Sequence, residues 1–165
     1  MFRVCFVCTG NICRSPMAEH VFRSFVERAG LSHQIAADSA GTSRVFEGYT
    51  ADVRAAAVLT AAGYTSEHTA RLFRPRWLRT RSLVVALDRG HENSLRRLGA
   101  SHGGRVALLR SFDPEAPPGA DVPDPYQRGL SAFEECLEMV EAACAGLLDS
   151  VCSELQPAPH RAEQG

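Results

Sequence analysis

Phe2-Arg3-Val4-Cys5-Phe6-Val7-Cys8-Thr9-Gly10-Asn11-Ile12-Cys13-Arg14-Ser15-Pro16 is the stretch on which the fold of this chain turns. Residues 2–8 are nearly all apolar and rich in strand formers, the pattern of a central strand covered on both faces. Thr9-Gly10-Asn11 breaks that pattern. Ser15-Pro16 then reads as an N-cap followed by proline at the first helical position. Met17, Ala18, Val21, Phe22, Phe25, Val26 and Ala29 recur at helical spacing, and Gly30 is placed to end the helix. Strand, tight loop and helix therefore follow one another within 30 residues.

Further along, the same signals predict a strand over about 34–40 closed by Gly41, and an Ala-rich helix over about 51–62 stopped by Gly63. Another buried strand is predicted over 82–87, followed by Asp88. A short helix is predicted over about 92–98 with Gly99 after it, and a fourth strand over 105–109. Residues 110–129 hold five prolines and two glycines, which reads as a long irregular loop of the kind that often carries function. The last helix is predicted over about 130–151, with Phe133, Cys136, Leu137, Val140, Cys144, Leu147 and Val151 as its apolar stripe. Strands alternating with helices imply an α/β fold: one three-layer domain whose parallel sheet is flanked by helices on both faces. Residues 1–152 are expected to form that domain, and 153–165 a polar, flexible tail.

The chain has 165 residues, 45% of them hydrophobic, with a formal net charge of -1. That composition excludes a disordered protein and offers no global positive field for nucleic acid. No apolar run approaches membrane-spanning length, so no membrane partner is expected. The first residues carry no charged leader followed by an apolar region. The expected setting is cytoplasmic and reducing, with the six cysteines free, although leaderless export stays open.

In open parallel sheets, ligands bind beyond the carboxyl ends of the strands, and the first strand ends at Cys8. Backbone N–H groups of the loop Thr9, Gly10, Asn11, Ile12, Cys13 can converge on an anion there, aided by the positive end of the following helix. A thiol in that field is expected to stand as a thiolate near neutral pH. Arg14 closes the loop with a fork suited to two phosphoryl oxygens. Gly10 allows close backbone approach, and Asn11 tolerates a left-handed conformation. Such a loop would bind a tetrahedral dianion directly above a nucleophile.

The string CTGNICRSP after an N-terminal strand resembles the signature of the low-molecular-weight protein-tyrosine phosphatases, bacterial type. Ser39-Ala40-Gly41-Thr42 and Asp124-Pro125-Tyr126 are its distant partners, and the similarity runs from residue 3 to about 151. The resemblance implies a four-stranded parallel sheet of order 2-1-3-4. It also implies hydrolysis of phosphotyrosine through a cysteinyl-phosphate, without metal or organic cofactor, on tyrosine-phosphorylated protein substrates. By that resemblance Cys8 is the nucleophile, Arg14 binds the phosphoryl oxygens, and Asp124 is the general acid and then the base. Ser15 supports the thiolate with its hydroxyl, and Asn11 holds the loop in shape. His68 and Asp88 match supporting positions behind and beside the loop. Ile12, Phe46 and Tyr126 are expected to wall the substrate pocket. A monomer, or at most a weak homodimer, is expected.

Asp124 lies far from Cys8 in sequence, so only the fold can join them. Pro123 and Pro125 bracket it and limit its backbone. Cys13 stands near Cys8 along the loop; a reversible disulfide between them and a passive filling role are both open. Cys5, Cys8 and Cys13 lack the second pair a metal site needs, and Cys5 faces the other side of its strand. Histidines 20, 33, 91, 102 and 160 carry no functional signal.

The sequence departs from the family pattern twice. Gln127 stands where a second Tyr often follows Tyr126, and Val45-Phe46-Glu47 replaces a Trp and a His on the pocket rim of many bacterial members. Three other functions remain to be separated. Arsenate reduction on this fold uses further thiols near mid-chain, and residues 14–135 contain no Cys. Arginine phosphatases tend to carry Thr where this chain has Ile12. A silent phosphotyrosine-binding module would not need Cys8, Arg14 and Asp124 together.

Overall fold

A computed structural model describes residues 1–156. Four strands, β1 (Phe2–Cys8), β2 (Ile35–Gly41), β3 (Leu83–Ala86) and β4 (Val106–Leu108), form one parallel sheet in the order β2-β1-β3-β4. The order and the direction agree with expectation. Residues 4–8 of β1 are all buried, because both faces of this central strand are covered. Val4, Phe6 and Cys8 face α1 (Arg14–Arg28), α2 (Val53–Ala61) and α5 (Leu130–Leu155). Cys5 and Val7 face α3 (Trp77–Thr80) and α4 (Arg89–His102) with Phe73, Leu78 and Leu95. The larger core lies on the first of these faces. There Phe6 and Phe22 meet edge to face, with ring centroids 5.6 Å apart, a contact worth ~1 kcal/mol beyond the area it buries.

Element ends differ from the sequence reading for local reasons. The first helix starts at Arg14 with Cys13 in the cap position, and no side chain caps it. Ser15 is therefore not an N-cap; its hydroxyl is engaged by Cys8 and Asn11. The fourth helix starts at Arg89, not near Glu92, because the Asp88 carboxylate accepts the His91 amide and caps it. Gly99 lies inside that helix, which ends at Gly103 with φ of 70°. The last helix continues to Leu155, four residues past the predicted end. Ser153 thus belongs to the helix and not to a tail, and positions 157–165 of the expected tail lie outside the described residues. Among the described residues, no helix is long and apolar enough to cross a membrane.

The site is positioned at the carboxyl end of the sheet. Cys8, last in β1, pairs in register with Gly41, last in β2. A Cβ on Gly41 would lie 2.5 Å from the Thr9 carbonyl oxygen and 3.2 Å from the Asn11 amide. Glycine is required there because the loop after Cys8 lies directly against that backbone.

Candidate active site

Asn11 sets the path of the loop. It is fully buried and takes the left-handed conformation with φ of 57°, as its short amide side chain allows. Its Nδ2 donates to Ser15 Oγ (2.8 Å) and Ser39 Oγ (3.0 Å), and its Oδ1 accepts the Arg71 amide (3.0 Å). Its carbonyl accepts from His68 Nε2 at 2.6 Å. A carbonyl can only accept, so Nε2 of His68 carries the hydrogen. Burial lowers the His68 pKa, against the pull of the Asn11 bond and Glu19, and the ring is neutral. Ser39 passes its own hydrogen to the buried Glu19 carboxylate.

Cys8 is 3% exposed, and its Sγ lies 2.9 Å from Ser15 Oγ. Asn11 already donates to that oxygen, so the Ser15 hydrogen goes to an acceptor, and the sulfur at 2.9 Å is nearer than the Ala40 carbonyl at 3.5 Å. A hydroxyl hydrogen directed at the sulfur is placed to support it as the attacking atom. Burial pushes the thiols of Cys5, Cys13, Cys136 and Cys144 up, that of Cys136 to about 12. These four stay protonated. All six cysteines are free.

Arg14 is almost wholly buried and is the central cation. Its Nη1 donates to Asp88 Oδ2 (2.8 Å) and to the Val122 carbonyl (2.9 Å). Its Nη2 lies 3.8 Å from Asp124 Oδ2. Burial opposes its charge, but Cys8, Asp88 and Asp124 outweigh burial and raise its pKa. Burial likewise pushes Asp88 up, and the bond from the His91 amide together with Arg14 more than reverses it. One edge of the guanidinium is thus held by the scaffold while the other faces the cleft.

That cleft has a volume of about 100 Å³ and is lined by Cys8, the loop, Arg14, Phe46, Asp124 and Tyr126. The Asp124 side chain is 58% exposed and fixed by its own turn, its Oδ1 accepting the Tyr126 amide at 3.2 Å. Phe46 packs so tightly over Gly10 that a Cβ there would meet its ring at 2.7 Å. The rings of Phe46 and Tyr126 stand 6.0 Å apart. Ile12 is buried in the lining. The fold therefore gathers Cys8, Arg14, Asp124, Ile12, Phe46 and Tyr126 at one cleft. It places Ser15, His68 and Asp88 against the loop and its arginine.

The structure corrects the reading of His91 as a histidine without functional signal, and adds Arg54, which the sequence did not single out. His91 is buried beside the loop, with Nε2 2.8 Å from Thr9 Oγ1 and Nδ1 3.1 Å from Asp88 Oδ1. The available signal was its place in the first turn after a strand, where side chains face the carboxyl edge of the sheet. Arg54 clasps the Asp52 carboxylate, donates to the Tyr126 carbonyl at 2.8 Å, and lies 4.5 Å over the Phe133 ring. Asp52 in turn donates its amide to the Ile12 carbonyl. Arg54 ties the start of α2 to the acid-bearing loop, and nothing local in the sequence marks it.

Comparison with known proteins follows the same lines. Residues 3–157 match the family model described as low molecular weight phosphotyrosine protein phosphatase. The chain is 56% identical over 158 residues to a low molecular weight protein-tyrosine-phosphatase of Streptomyces coelicolor, covering 94% of this chain and 96% of the relative. It is 48% identical over 149 residues to low molecular weight protein-tyrosine phosphatase A of Mycobacterium tuberculosis, covering 90% of each. The crystal structure of YfkJ from Bacillus subtilis superposes with a TM-score of 0.88 at 33% identity, covering 94% of this chain and 98% of that one.

Proposed function

This chain belongs to the low molecular weight phosphotyrosine protein phosphatase family, and we propose that its reaction is carried by Cys8, Arg14 and Asp124. It is a protein-tyrosine phosphatase, a phosphoric monoester hydrolase with a cysteine nucleophile. Its substrates are tyrosine-phosphorylated proteins. The reading of the residues rests on one observation above others: a sulfur with a hydroxyl 2.9 Å away, an arginine and a carboxylate 3.8 Å from that arginine all line one cleft.

In the first displacement the Cys8 sulfur attacks phosphorus, an S–P bond forms, and the bond from phosphorus to the phenolic oxygen breaks. Asp124 gives its proton to that oxygen as it leaves. The loop amides and the free edge of Arg14 hold the equatorial oxygens while charge redistributes. In the second displacement Asp124 takes a proton from water, the water oxygen attacks phosphorus, and the S–P bond breaks to return thiolate and release inorganic phosphate. Splitting one hard step into two is the advantage of the covalent route. Rapid-quench mixing with an activated aryl phosphate should give a burst of phenol equal to the active enzyme, followed by slower turnover. A linear course with no phospho-enzyme in the quenched protein would exclude the cysteinyl-phosphate.

Selectivity for the phenol follows from the lining. Ile12, Phe46 and Tyr126 offer apolar surface to a flat ring. Ile12→Thr is expected to raise activity on phosphoarginine relative to phosphotyrosine by about tenfold, because a hydroxyl then meets the guanidinium. Parallel kcat/KM values on the two phospho-amino acids check this, and an unchanged ratio removes Ile12 as the selector.

The site is complete within one chain, which supports catalysis by the monomer. A thiolate nucleophile needs a reducing compartment, which supports action in the cytoplasm.

A further inference from the structure

We propose that His91 is a positioning residue for the phosphate loop, holding Thr9 at one end of the loop and Asp88, the partner of Arg14, at the other. The inference rests on the phosphatase reading of the cleft. His91 lies in the first turn of α4, and its buried ring touches Thr9, which opens the loop, and Asp88, which holds the arginine that closes it.

The geometry assigns its hydrogens. The backbone amide of His91 donates to Asp88 Oδ1 at 2.9 Å, and the ring Nδ1 lies 3.1 Å from the same oxygen. That ring contact is bent out of hydrogen-bond alignment, so Nδ1 has no aligned partner and the attraction is electrostatic. A carboxylate cannot donate, so the Nδ1 facing it carries the hydrogen. Burial lowers the His91 pKa, although Asp88, Asp124 and Asp121 pull it the other way, while Arg14 adds to the lowering. In the neutral ring that results, Nε2 has a lone pair and accepts from the Thr9 hydroxyl at 2.8 Å.

The consequence is a chain of contacts that brackets the nucleophile. Thr9 directly follows Cys8 and lines the cleft. With its hydrogen directed at His91, the Thr9 hydroxyl cannot turn inward and compete for the sulfur or for a phosphate oxygen. Its side chain is fixed, and with it the first amide of the loop. At the other end, Asp88 Oδ1 accepts from the His91 backbone amide and has the ring Nδ1 beside it at 3.1 Å, while Oδ2 accepts from Arg14 Nη1. One imidazole thus sets the Thr9 rotamer and biases the carboxylate that aims the guanidinium. It touches no substrate itself.

The test uses His91→Phe, His91→Gln, Thr9→Val and the double variant His91→Phe/Thr9→Val. Inorganic phosphate affinity is measured by calorimetry, and aryl phosphate turnover and thermal midpoint are measured in parallel. Phosphate binding reads the loop directly, whereas absence of turnover in the wild type would count against the phosphatase reading instead. His91→Phe should weaken phosphate binding about tenfold and lower kcat/KM by a similar factor, mainly through KM. His91→Gln should recover most of this, because the glutamine oxygen reaches the position of Nε2 and can accept from Thr9. Thr9→Val should reproduce the loss, and the double variant should be no worse than either single one. The proposal is overturned if phosphate affinity and kcat/KM stay at wild-type values in the single variants, or if the two losses multiply. A fall in thermal midpoint with unchanged phosphate affinity would make His91 a helix residue only. Should His91→Phe fail to fold, Thr9→Val and His91→Gln decide the matter, since one changes an exposed side chain and the other keeps the bond.

Discussion

Cys8→Ser is expected to reduce kcat for aryl phosphates by roughly four orders of magnitude or more. Sulfur is the one atom at the cleft floor that can be both anionic and strongly nucleophilic near neutral pH. The Ser15 hydroxyl lies 2.9 Å from this sulfur, and a serine hydroxyl in its place would stay protonated and shorter in reach. No neighbour can replace it. Burial keeps Cys13 and Cys136 protonated, and Cys5 faces the other side of the sheet. Phosphate affinity should not fall with activity. Removing a negative sulfur beneath a dianion removes a repulsion, while Arg14 and the loop stay in place. Kinetics on a tyrosine phosphopeptide, together with titration of inorganic phosphate, check both halves. Residual turnover above about a hundredth of wild type would mean that another nucleophile operates. If the prediction holds, the variant also serves to capture tyrosine-phosphorylated proteins and so to identify substrates.

The parts of this molecule that were legible beforehand are those whose physics is local. The first strand announced itself because a strand covered on both faces has no polar alternation, and residues 4–8 are buried without exception. The loop was legible because an anion site needs a glycine, a residue tolerant of positive φ, and an arginine within a few positions. Asn11 at φ of 57° supplies the second of these. Boundaries set by side chains reaching across the chain were not. Helix α4 begins three residues before its apolar spacing suggests, since Asp88 caps it, and it passes through Gly99 because the buried Leu95 packs it down. A glycine inside a helix costs only ~1 kcal/mol, which tertiary packing readily offsets. Helix α3 spans four residues, too short to show any period. It is held by Trp77, whose ring lies 4.6 Å from the guanidinium carbons of both Arg71 and Arg81. The same distinction divides the site. Cys8, Arg14 and Asp124 carry residue types that the chemistry demands. His91 and Arg54 matter only through where α4 and α2 place them.

Asp124→Ala should slow a phosphate ester of a poorly acidic phenol by about 10²–10³-fold, and an activated aryl phosphate far less. Tyrosine has a phenol pKa of about 10, so its oxygen leaves with difficulty unless it is protonated as the bond to phosphorus breaks. An activated phenol is stable as the anion and needs little help. The carboxyl is placed for this role: it lines the cleft with Cys8, it is exposed enough to meet a leaving group, and its turn is fixed by Pro123, Pro125 and the Tyr126 amide. The neighbouring Asp121 cannot substitute, because it accepts the Arg89 amide at 2.9 Å and pairs with that side chain. Ground-state phosphate binding should hold or tighten, since the variant removes a carboxylate 3.8 Å from Arg14 that competes with substrate for the cation. The measurement is kcat/KM across a series of aryl phosphates of graded leaving-group acidity, for wild type and variant. A steeper dependence in the variant identifies Asp124 as the proton donor. Equal slowing across the series would show that the carboxylate only shapes the cleft, and the acid would then have to be sought elsewhere on the Pro-rich loop.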